Sequence, residues 1–235
     1  MNKKVVIIEA FNEFLDLSGA FLKEIFSKPV IQIVTDQIKR SSQIDDFVVL
    51  TSDASVDQEL ADYCSQHSIQ VYQSNAKNLL ASYCDTAKEF QADTVVRVMG
   101  HSPLLEPSLI DVMLGTFDHK SDYYSNCQPV RTVPIGLDIE IFSAAILGEM
   151  MEEVRDKEQQ RAVTAYLYEQ PDLFKLQSFE LYAQLAELDF SIKNHDDFLF
   201  ISRVCAQIGK EKFISGDFDI IQTVEAYNQV VLSQE

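Results

Sequence analysis

The chain has 235 residues, of which 46% are hydrophobic, so it can bury a continuous core without disulfides or structural metals. Its 19 Lys and Arg residues against 37 Asp and Glu residues give a formal net charge of −18 at pH 7. This charge argues against nucleic acid and anionic membrane surfaces as partners, because both attract basic proteins. The sequence shows no apolar run of the length of a membrane span and no secretory signal pattern, so we expect a cytoplasmic protein. Its four cysteines form no C-x-x-C pair, so we expect free thiols.

The first half of the sequence alternates short apolar runs with amphipathic segments. The run at 4–8 (KVVII) is apolar throughout, as expected for a strand buried on both faces. Further strands are predicted at 46–51, 69–72 and 94–98, and helices are predicted near 30–38, after a Ser55 N-cap, near 80–90 and at 107–117. Buried strands that alternate with helices predict a parallel sheet with crossover helices, whose ligands bind beyond the carboxyl ends of the strands.

The second half lacks the regular alternation of strands and helices, and no linker separates it from the first half. Within 136–143, Leu137, Ile139 and Ile141 alternate with Asp138 and Glu140, which predicts a strand with one apolar and one acidic face. The other predicted elements are strands at 122–126, 173–178 and 188–192, and helices at 144–155, 159–169, 195–208 and 217–231. We therefore expect a single domain over 1–235 with two halves, 1–120 and 121–235.

The order of short motifs along the chain resembles one known family. The motifs are Glu9-Ala10-Phe11, Leu17 to Ala20, Leu22 to Ile25, Ser52-Asp53, Ala87 to Pro107, Ser125-Asn126, Gly136 to Phe142, Gln170 to Leu176 and Ile192 to Phe198. In this order they are similar to the cytidylyltransferases of surface-polysaccharide synthesis, which include the spore coat protein SpsF and the acylneuraminate and 3-deoxy-manno-octulosonate (KDO) enzymes. The likeness extends over nearly the whole chain.

The resemblance implies a fold, a reaction and a partner. The implied fold is a three-layer α/β nucleotidyltransferase-like (nucleotide-diphospho-sugar transferase) fold with a mostly parallel mixed sheet, whose first half binds nucleotide and whose second half forms the sugar pocket and a dimer contact. The implied reaction joins a sugar to the α-phosphate of CTP with magnesium and releases pyrophosphate. A homodimer and a sugar acid or sugar nucleotide as ligand follow from the same likeness, and the apolar residues of 140–190 favour the dimer. The open alternative is that they pack under the sheet.

The loop that should hold the phosphates has lost its cations. Where the family has two arginines and a lysine, this chain has Phe11, Asp16 and Ala20, and Lys23 is the only basic residue nearby. The predicted nucleotide-binding set is completed by Ser52 and Asp53. Because attraction is replaced by repulsion, we expect the degenerate loop to bind CTP poorly.

The metal site is altered in the same direction. His101 and Lys193 replace the two magnesium-binding aspartates of the family, and magnesium prefers hard oxygen ligands. We therefore expect no metal cofactor. We also expect His101 and Lys193 to lie close together, since both replace ligands of one metal. In an alternative interpretation, Lys193 stands where the metal stood and neutralises a ligand anion.

The remaining candidates leave the function open between binding and catalysis. Arg97 and Lys193 are the candidate catalytic residues, although a structural ion pair also explains Arg97. The candidate substrate-binding residues are Asn126, Asp138 and Glu140, of which the two acids either bind sugar hydroxyls or face water. His67 and His119 are read as surface residues. We expect a glycan-biosynthesis protein of this family without standard cytidylyltransferase activity; the alternatives are an active enzyme with a rebuilt, metal-poor site and a partner subunit of an active paralogue.

Overall fold

The computed structural model describes residues 2–118, 120–181 and 183–233, so His119 lies outside the described residues. Its strands form a seven-stranded sheet in the order β5-β4-β1-β6-β8-β7-β9, and a separate two-stranded hairpin pairs β2 with β3. The strand bounds are β1 Lys4–Glu9, β2 Glu24–Ile25, β3 Lys28–Pro29, β4 Asp46–Ser52, β5 Val71–Ser74, β6 Thr94–Met99, β7 Tyr123–Ser125, β8 Glu140–Ser143 and β9 Leu176–Ser178.

The sheet is mixed but mostly parallel, as predicted. Strand β1 lies between β4 and β6 and is parallel to both, and β4 is parallel to β5. Strand β8 runs antiparallel to its neighbours β6 and β7, whereas β7 and β9 are parallel. The carboxyl ends of β1, β4 and β6 therefore meet at one edge of the sheet.

Helices cover both faces of this sheet. Their bounds are α1 Val30–Ile38, α2 Gln58–Gln66, α3 Leu79–Glu89, α4 Pro107–Thr116, α5 Ala144–Glu153, α6 Lys157–Arg161, α7 Ala165–Glu169, α8 His195–Ile208, α9 Lys210–Ser215 and α10 Ile220–Leu232. Asn78 and Asn194 cap α3 and α8 with their side chains, and Asp219 forms a capping box at α10. None of the helices in the described ranges is long and apolar enough to cross a membrane.

Two apolar clusters pack against the two faces of the sheet. In β1, Val6 and Ile8 belong to one cluster and Val5 and Ile7 to the other, and all four are fully buried. The alternation follows from the strand period of two, so the apolar run KVVII supplies both layers. This arrangement confirms the predicted three-layer α/β architecture with a mostly parallel mixed sheet.

Several predicted boundaries are wrong, each for a local reason. The strand predicted at 136–143 begins only at Glu140, because the Asn126 side chain accepts from Ile139 N (2.9 Å) and donates to Leu137 O (2.8 Å) in place of a neighbouring strand. The cap of α2 is Asp57 rather than Ser55, since Asp57 closes a turn onto Ala54 O (3.0 Å).

The C-terminal half contains more breaks than the periodicity predicts. The helix predicted at 159–169 divides into α6 and α7 around Val163, whose φ of +41° is left-handed. The strand predicted at 188–192 is reduced to one isolated bridge between Ile135 and Asp189. The helix predicted at 217–231 begins at Ile220, after the separate helix α9 has ended at Gly216 with a φ of +71°.

The apolar residues that favoured a dimer mostly lie inside the protein. Phe142, Met150 and Leu167 are buried in the second cluster, and Ile141 is buried in the first. Met151, Tyr166 and Tyr168 are partly buried and pack against the second cluster. The core therefore accounts for these residues, as the alternative reading proposed.

Candidate functional site

The loops that follow β1, β4 and β6 form the edge where a ligand of this fold is expected. The segments 10–22, 53–57 and 100–106 contain five Asp or Glu residues and neither Lys nor Arg. Strands β1 and β6 are in direct contact here, because Gly100 N donates to Glu9 O (2.8 Å). A Cβ on Gly100 would lie 3.0 Å from the Ala10 Cβ, so this approach favours glycine. The edge is tightly packed and acidic.

The loop after β1 turns its aromatic residue inward. Phe11 is buried in the core, and its ring lies 5.5 Å from that of Phe14, which is 41% exposed. The guanidinium of Arg161 lies over the Phe14 ring at 5.9 Å. Of the other predicted loop residues, Ala20 is buried, Asp16 is exposed and Lys23 is half-buried. The side chain at 11 therefore stabilises the core and does not point a charge at a ligand.

A buried carboxylate that the sequence analysis missed fastens this loop to the next one. Asp57 accepts from Asn12 N (3.0 Å) and Asn12 Nδ2 (2.8 Å) with one oxygen, and from Ser52 N (3.2 Å) and the Ser52 hydroxyl with the other. Asp57 and Ser52 are both buried, whereas Asp53 is exposed. Ser52 of the predicted nucleotide-binding set is thus committed to Asp57. No sequence signal links Asp57 to a residue 45 positions away.

Arg97 lies between two glutamates at the same edge. Its Nε (3.0 Å) and Nη2 (2.9 Å) donate to Glu9 Oε2, and its Nη1 donates to Glu140 Oε1 (2.5 Å). Tyr83 donates to Glu9 (2.9 Å) and Tyr123 donates to Glu140 (2.6 Å). Burial lowers the pKa of Arg97, but the two carboxylates outweigh it and hold that pKa well above its usual value. The geometry is that of a buried structural ion pair.

The three candidate substrate-binding residues are also engaged within the protein. Both ends of the Asn126 amide bind backbone, as described above, and Asn126 is fully buried. Glu140 accepts from Thr164 Oγ1 (2.5 Å) as well as from Arg97 and Tyr123. Asp138 pairs with Arg131, and burial raises its pKa despite that partner. Neither acid faces water freely.

His101 and Lys193 lie in adjacent segments, which confirms the predicted proximity of these two parts of the chain. Ile192 N donates to His101 O (3.0 Å), and Asp16 N donates to Lys193 O (2.9 Å). The Lys193 ammonium binds Asp189 (2.5 Å) and is 46% exposed. Burial lowers the pKa of His101 to about 4, with a smaller contribution from Lys193, so its imidazole is neutral at pH 7.

This donor set does not fit magnesium. A neutral imidazole and an ammonium occupy the two positions where the resemblance requires carboxylates, and the ammonium repels a cation. Within residues 2–118, 120–181 and 183–233, no group of three His, Cys, Asp or Glu side chains is placed to hold a metal ion. The thiols that the structure describes are free, and burial raises the pKa of the Cys64 thiol to about 12.

Two buried polar atoms at this edge have no hydrogen-bond partner among the described residues. They are Asn12 Oδ1, in the loop after β1, and Ser102 Oγ, in the loop after β6. Asn12 is 6% exposed and Ser102 is 2% exposed. Unpaired buried polar atoms are rare in folded proteins. Each of these two loops therefore encloses one unsatisfied polar atom that is closed off from solvent.

A sequence model of the family described as Cytidylyltransferase matches residues 17–230. The chain belongs to the cytidylyltransferase family. It is 25% identical over 186 residues to the spore coat polysaccharide biosynthesis protein SpsF of Bacillus subtilis. The aligned residues cover 77% of this chain and 76% of that protein.

Solved structures of cytidylyltransferases share the fold. A cytidylyltransferase from Leptospira borgpetersenii superposes with a TM-score of 0.88 at 22% identity, over 97% of this chain and 95% of that one. A CMP:2-keto-3-deoxy-manno-octonic acid synthetase complexed with CTP gives a TM-score of 0.64 at 15% identity, over 87% of this chain and 99% of that one. These likenesses confirm the predicted nucleotidyltransferase-like fold.

Within the cytidylyltransferase fold, the structure separates the two candidate catalytic residues by their partners. Arg97 is held by Glu9 and Glu140, whereas Lys193 is held by Asp189 on the segment that leads into α8. Sequence reasoning named both residues but identified neither set of partners. The sequence shows Glu9 and Glu140 only as scattered acids, because Arg97 lies 88 and 43 positions away from them. Asp189 lies only four positions before Lys193.

Proposed function

We propose that this protein is a cytoplasmic, ligand-binding member of the cytidylyltransferase family in surface-polysaccharide biosynthesis that does not transfer CMP from CTP in the standard metal-assisted way. The absence of Lys and Arg from the three strand-end loops carries this proposal. A CTP triphosphate brings about four negative charges to that edge, where each contact of like charges at about 4 Å is unfavourable by about 4 kcal/mol at an effective dielectric constant of about 20.

Two of the cations near this edge, Arg97 and Lys193, are already paired and do not offset this repulsion. Arg97 is neutralised by Glu9 and Glu140, and Lys193 by Asp189. A metal ion, which would normally bridge the phosphates, has neither of the family's two carboxylates to hold it.

The alternative, an active nucleotidyltransferase with a rebuilt, metal-poor site, is favoured by one observation. The Lys193 side chain is 46% exposed beside the strand ends, so it can exchange Asp189 for an anionic ligand. That function requires Arg97 to act as well, and Arg97 is only 12% exposed between its two glutamates. The binding function therefore has the stronger support.

A thermal-shift experiment tests the proposal. CTP with magnesium at about 5 mM should leave the unfolding temperature unchanged, whereas the same mixture should stabilise a 3-deoxy-manno-octulosonate cytidylyltransferase used as positive control. Reversing the loop charge with Glu13→Lys and Asp16→Lys, both at exposed positions, should increase the affinity for inorganic triphosphate. The matched reversal Glu211→Lys, in α9, should not.

A metal-dependent shift of several degrees in the unmodified protein would refute the charge argument. Release of pyrophosphate from CTP in the presence of a sugar acid would establish the alternative. The homodimer is a separate proposal that now depends on the family resemblance alone. Light scattering tests it, since a monomer has a mass of 26.7 kDa and a dimer twice that.

A further inference from the structure

A cavity of about 570 Å³ lies beside α8, outside the three strand-end loops. Its volume is within the range of about 300–1,000 Å³ that is typical of small-molecule sites. Three parts of the chain form its walls: the segment 189–191, the first half of α8, and Tyr227 of α10. The family resemblance and the comparisons assign no role to this cavity.

One face of α8 supplies two unpaired charges of opposite sign. Asp196, Leu199, Phe200 and Arg203 line the cavity and are spaced as i, i+3, i+4 and i+7, which places them on the same side of the helix. Asp196 and Arg203 are both exposed, and neither side chain has a hydrogen bond or ion pair in the part of the chain that the structure describes. Seven residues of helix separate them by about 10 Å along the axis.

The other two acids of the cavity already accept hydrogen bonds from within the protein. Asp189 accepts from Ser191 Oγ (2.6 Å) and from the Lys193 ammonium (2.5 Å), and the resulting hydrogen bonds outweigh burial and lower its pKa. Asp197 accepts from Lys193 N (3.0 Å). Lys193 thus compensates the charge of Asp189, whereas Asp197 keeps its charge and has one backbone hydrogen bond. Asp196 and Arg203 are the charged side chains of the lining that have no partner among the described residues.

An aromatic pair lies between these charges. The rings of Phe200 and Tyr227 are 4.9 Å apart at an interplanar angle of 70°, and Leu199 beside them is 42% exposed. Burial raises the pKa of the Tyr227 hydroxyl, with a further contribution from Asp189. Among the described residues this hydroxyl has no hydrogen-bond partner, so the cavity offers an apolar surface edged by unpaired polar groups.

We infer that this cavity binds a neutral monosaccharide. A sugar hydroxyl is both donor and acceptor, so hydroxyls at two edges of one ring satisfy Asp196 and Arg203 together. The C–H face of the ring packs on Phe200 and Tyr227. Asp196 would repel an anionic ligand and Arg203 would repel a cationic one, so a net charge of either sign on the ligand is unfavourable at one end of the cavity. The inference names a ligand class for the binding role proposed above, at a different place in the fold.

Saturation-transfer NMR with the full chain tests this inference. D-glucose, D-mannose and D-galactose are the probes, with ethylammonium and inorganic phosphate as charged competitors. At least one sugar should bind with a dissociation constant below about 50 mM, and Arg203→Gln and Asp196→Asn should each weaken binding at least about tenfold. The matched surface variants Arg155→Gln and Asp172→Asn should bind as the unmodified protein does.

Leu199→Trp provides a second measurement, because a larger side chain at this exposed position fills the cavity without altering a charge. It should abolish sugar binding. The inference is overturned if none of the three sugars binds, if both charge variants bind normally, or if ethylammonium or phosphate binds more tightly than the sugars. These outcomes are independent of the CTP experiment, so the failure of one proposal is distinguishable from the failure of the other.

Discussion

Acidification is expected to destabilise the protein through the imidazole of His101. Burial lowers its pKa from 6.5 to about 4, so between these values the unfolded chain binds a proton that the folded protein does not. The free energy of unfolding therefore falls as the pH falls through this window and is unaffected by His101 outside it. The whole difference of about 2.5 pKa units corresponds to about 3 kcal/mol, and about 2 kcal/mol of it is lost between about pH 7.5 and about pH 5.

Urea unfolding at these two pH values measures the effect. For a slope of about 3 kcal/mol per molar urea, the contribution of His101 shifts the midpoint by about 0.7 M. His101→Gln lowers the free energy of unfolding at both pH values, but it also removes the group that titrates. The difference in the free energy of unfolding between the two pH values should therefore shrink by about 2 kcal/mol. His195→Gln, at an exposed histidine of α8, is the matched control and should leave the difference as it is. An equal pH difference in the unmodified protein and in His101→Gln would show that this imidazole is not buried in its neutral form.

Three further predictions follow from the packing. Arg97→Met leaves two buried glutamates without their cation and should lower the free energy of unfolding by about 3–5 kcal/mol in urea titrations; a loss under about 1 kcal/mol would contradict a buried ion pair. Gly136→Ala should destabilise by more than about 1 kcal/mol, because its φ is +92° and the new Cβ would lie 2.8 Å from backbone, whereas Gly148→Ala, with open space in α5, should stabilise by about 0.5–1 kcal/mol. Asp57→Ala should speed hydrogen exchange and proteolysis in 10–22 more than elsewhere, and uniform acceleration would show that Asp57 does not fasten that loop.

Elements whose residues share one pattern could be predicted from the sequence. Strand β1 could be predicted because an uninterrupted apolar run is typical of a strand buried on both faces, and the helix predicted at 195–208 has the bounds of α8. The strand predicted at 136–143 was too long because alternation cannot show that the Asn126 side chain replaces a neighbouring strand. The pattern of residues along a strand does not show which group will form hydrogen bonds with its backbone.

The candidate site was less predictable, for the same physical reason. The sequence located the strand-end loops and their missing cations, since both are local properties. It left Arg97 open between ion pair and ligand contact, because Glu9 and Glu140 are 88 and 43 positions away. The cavity beside α8 could not be predicted at all, because it exists only where α8 meets Tyr227 of α10.

The position of β1 in the sheet affects how the chain folds during synthesis. Val5 is made before both of its partners, because it pairs with Asp46 on one side and with Val95 on the other. At about 5–20 residues per second, the ribosome needs roughly 5–18 s to make the 90 residues between Val5 and its second partner. During that interval an apolar strand with an unpaired edge is exposed to aggregation, so slower translation of this stretch should increase the need for a chaperone.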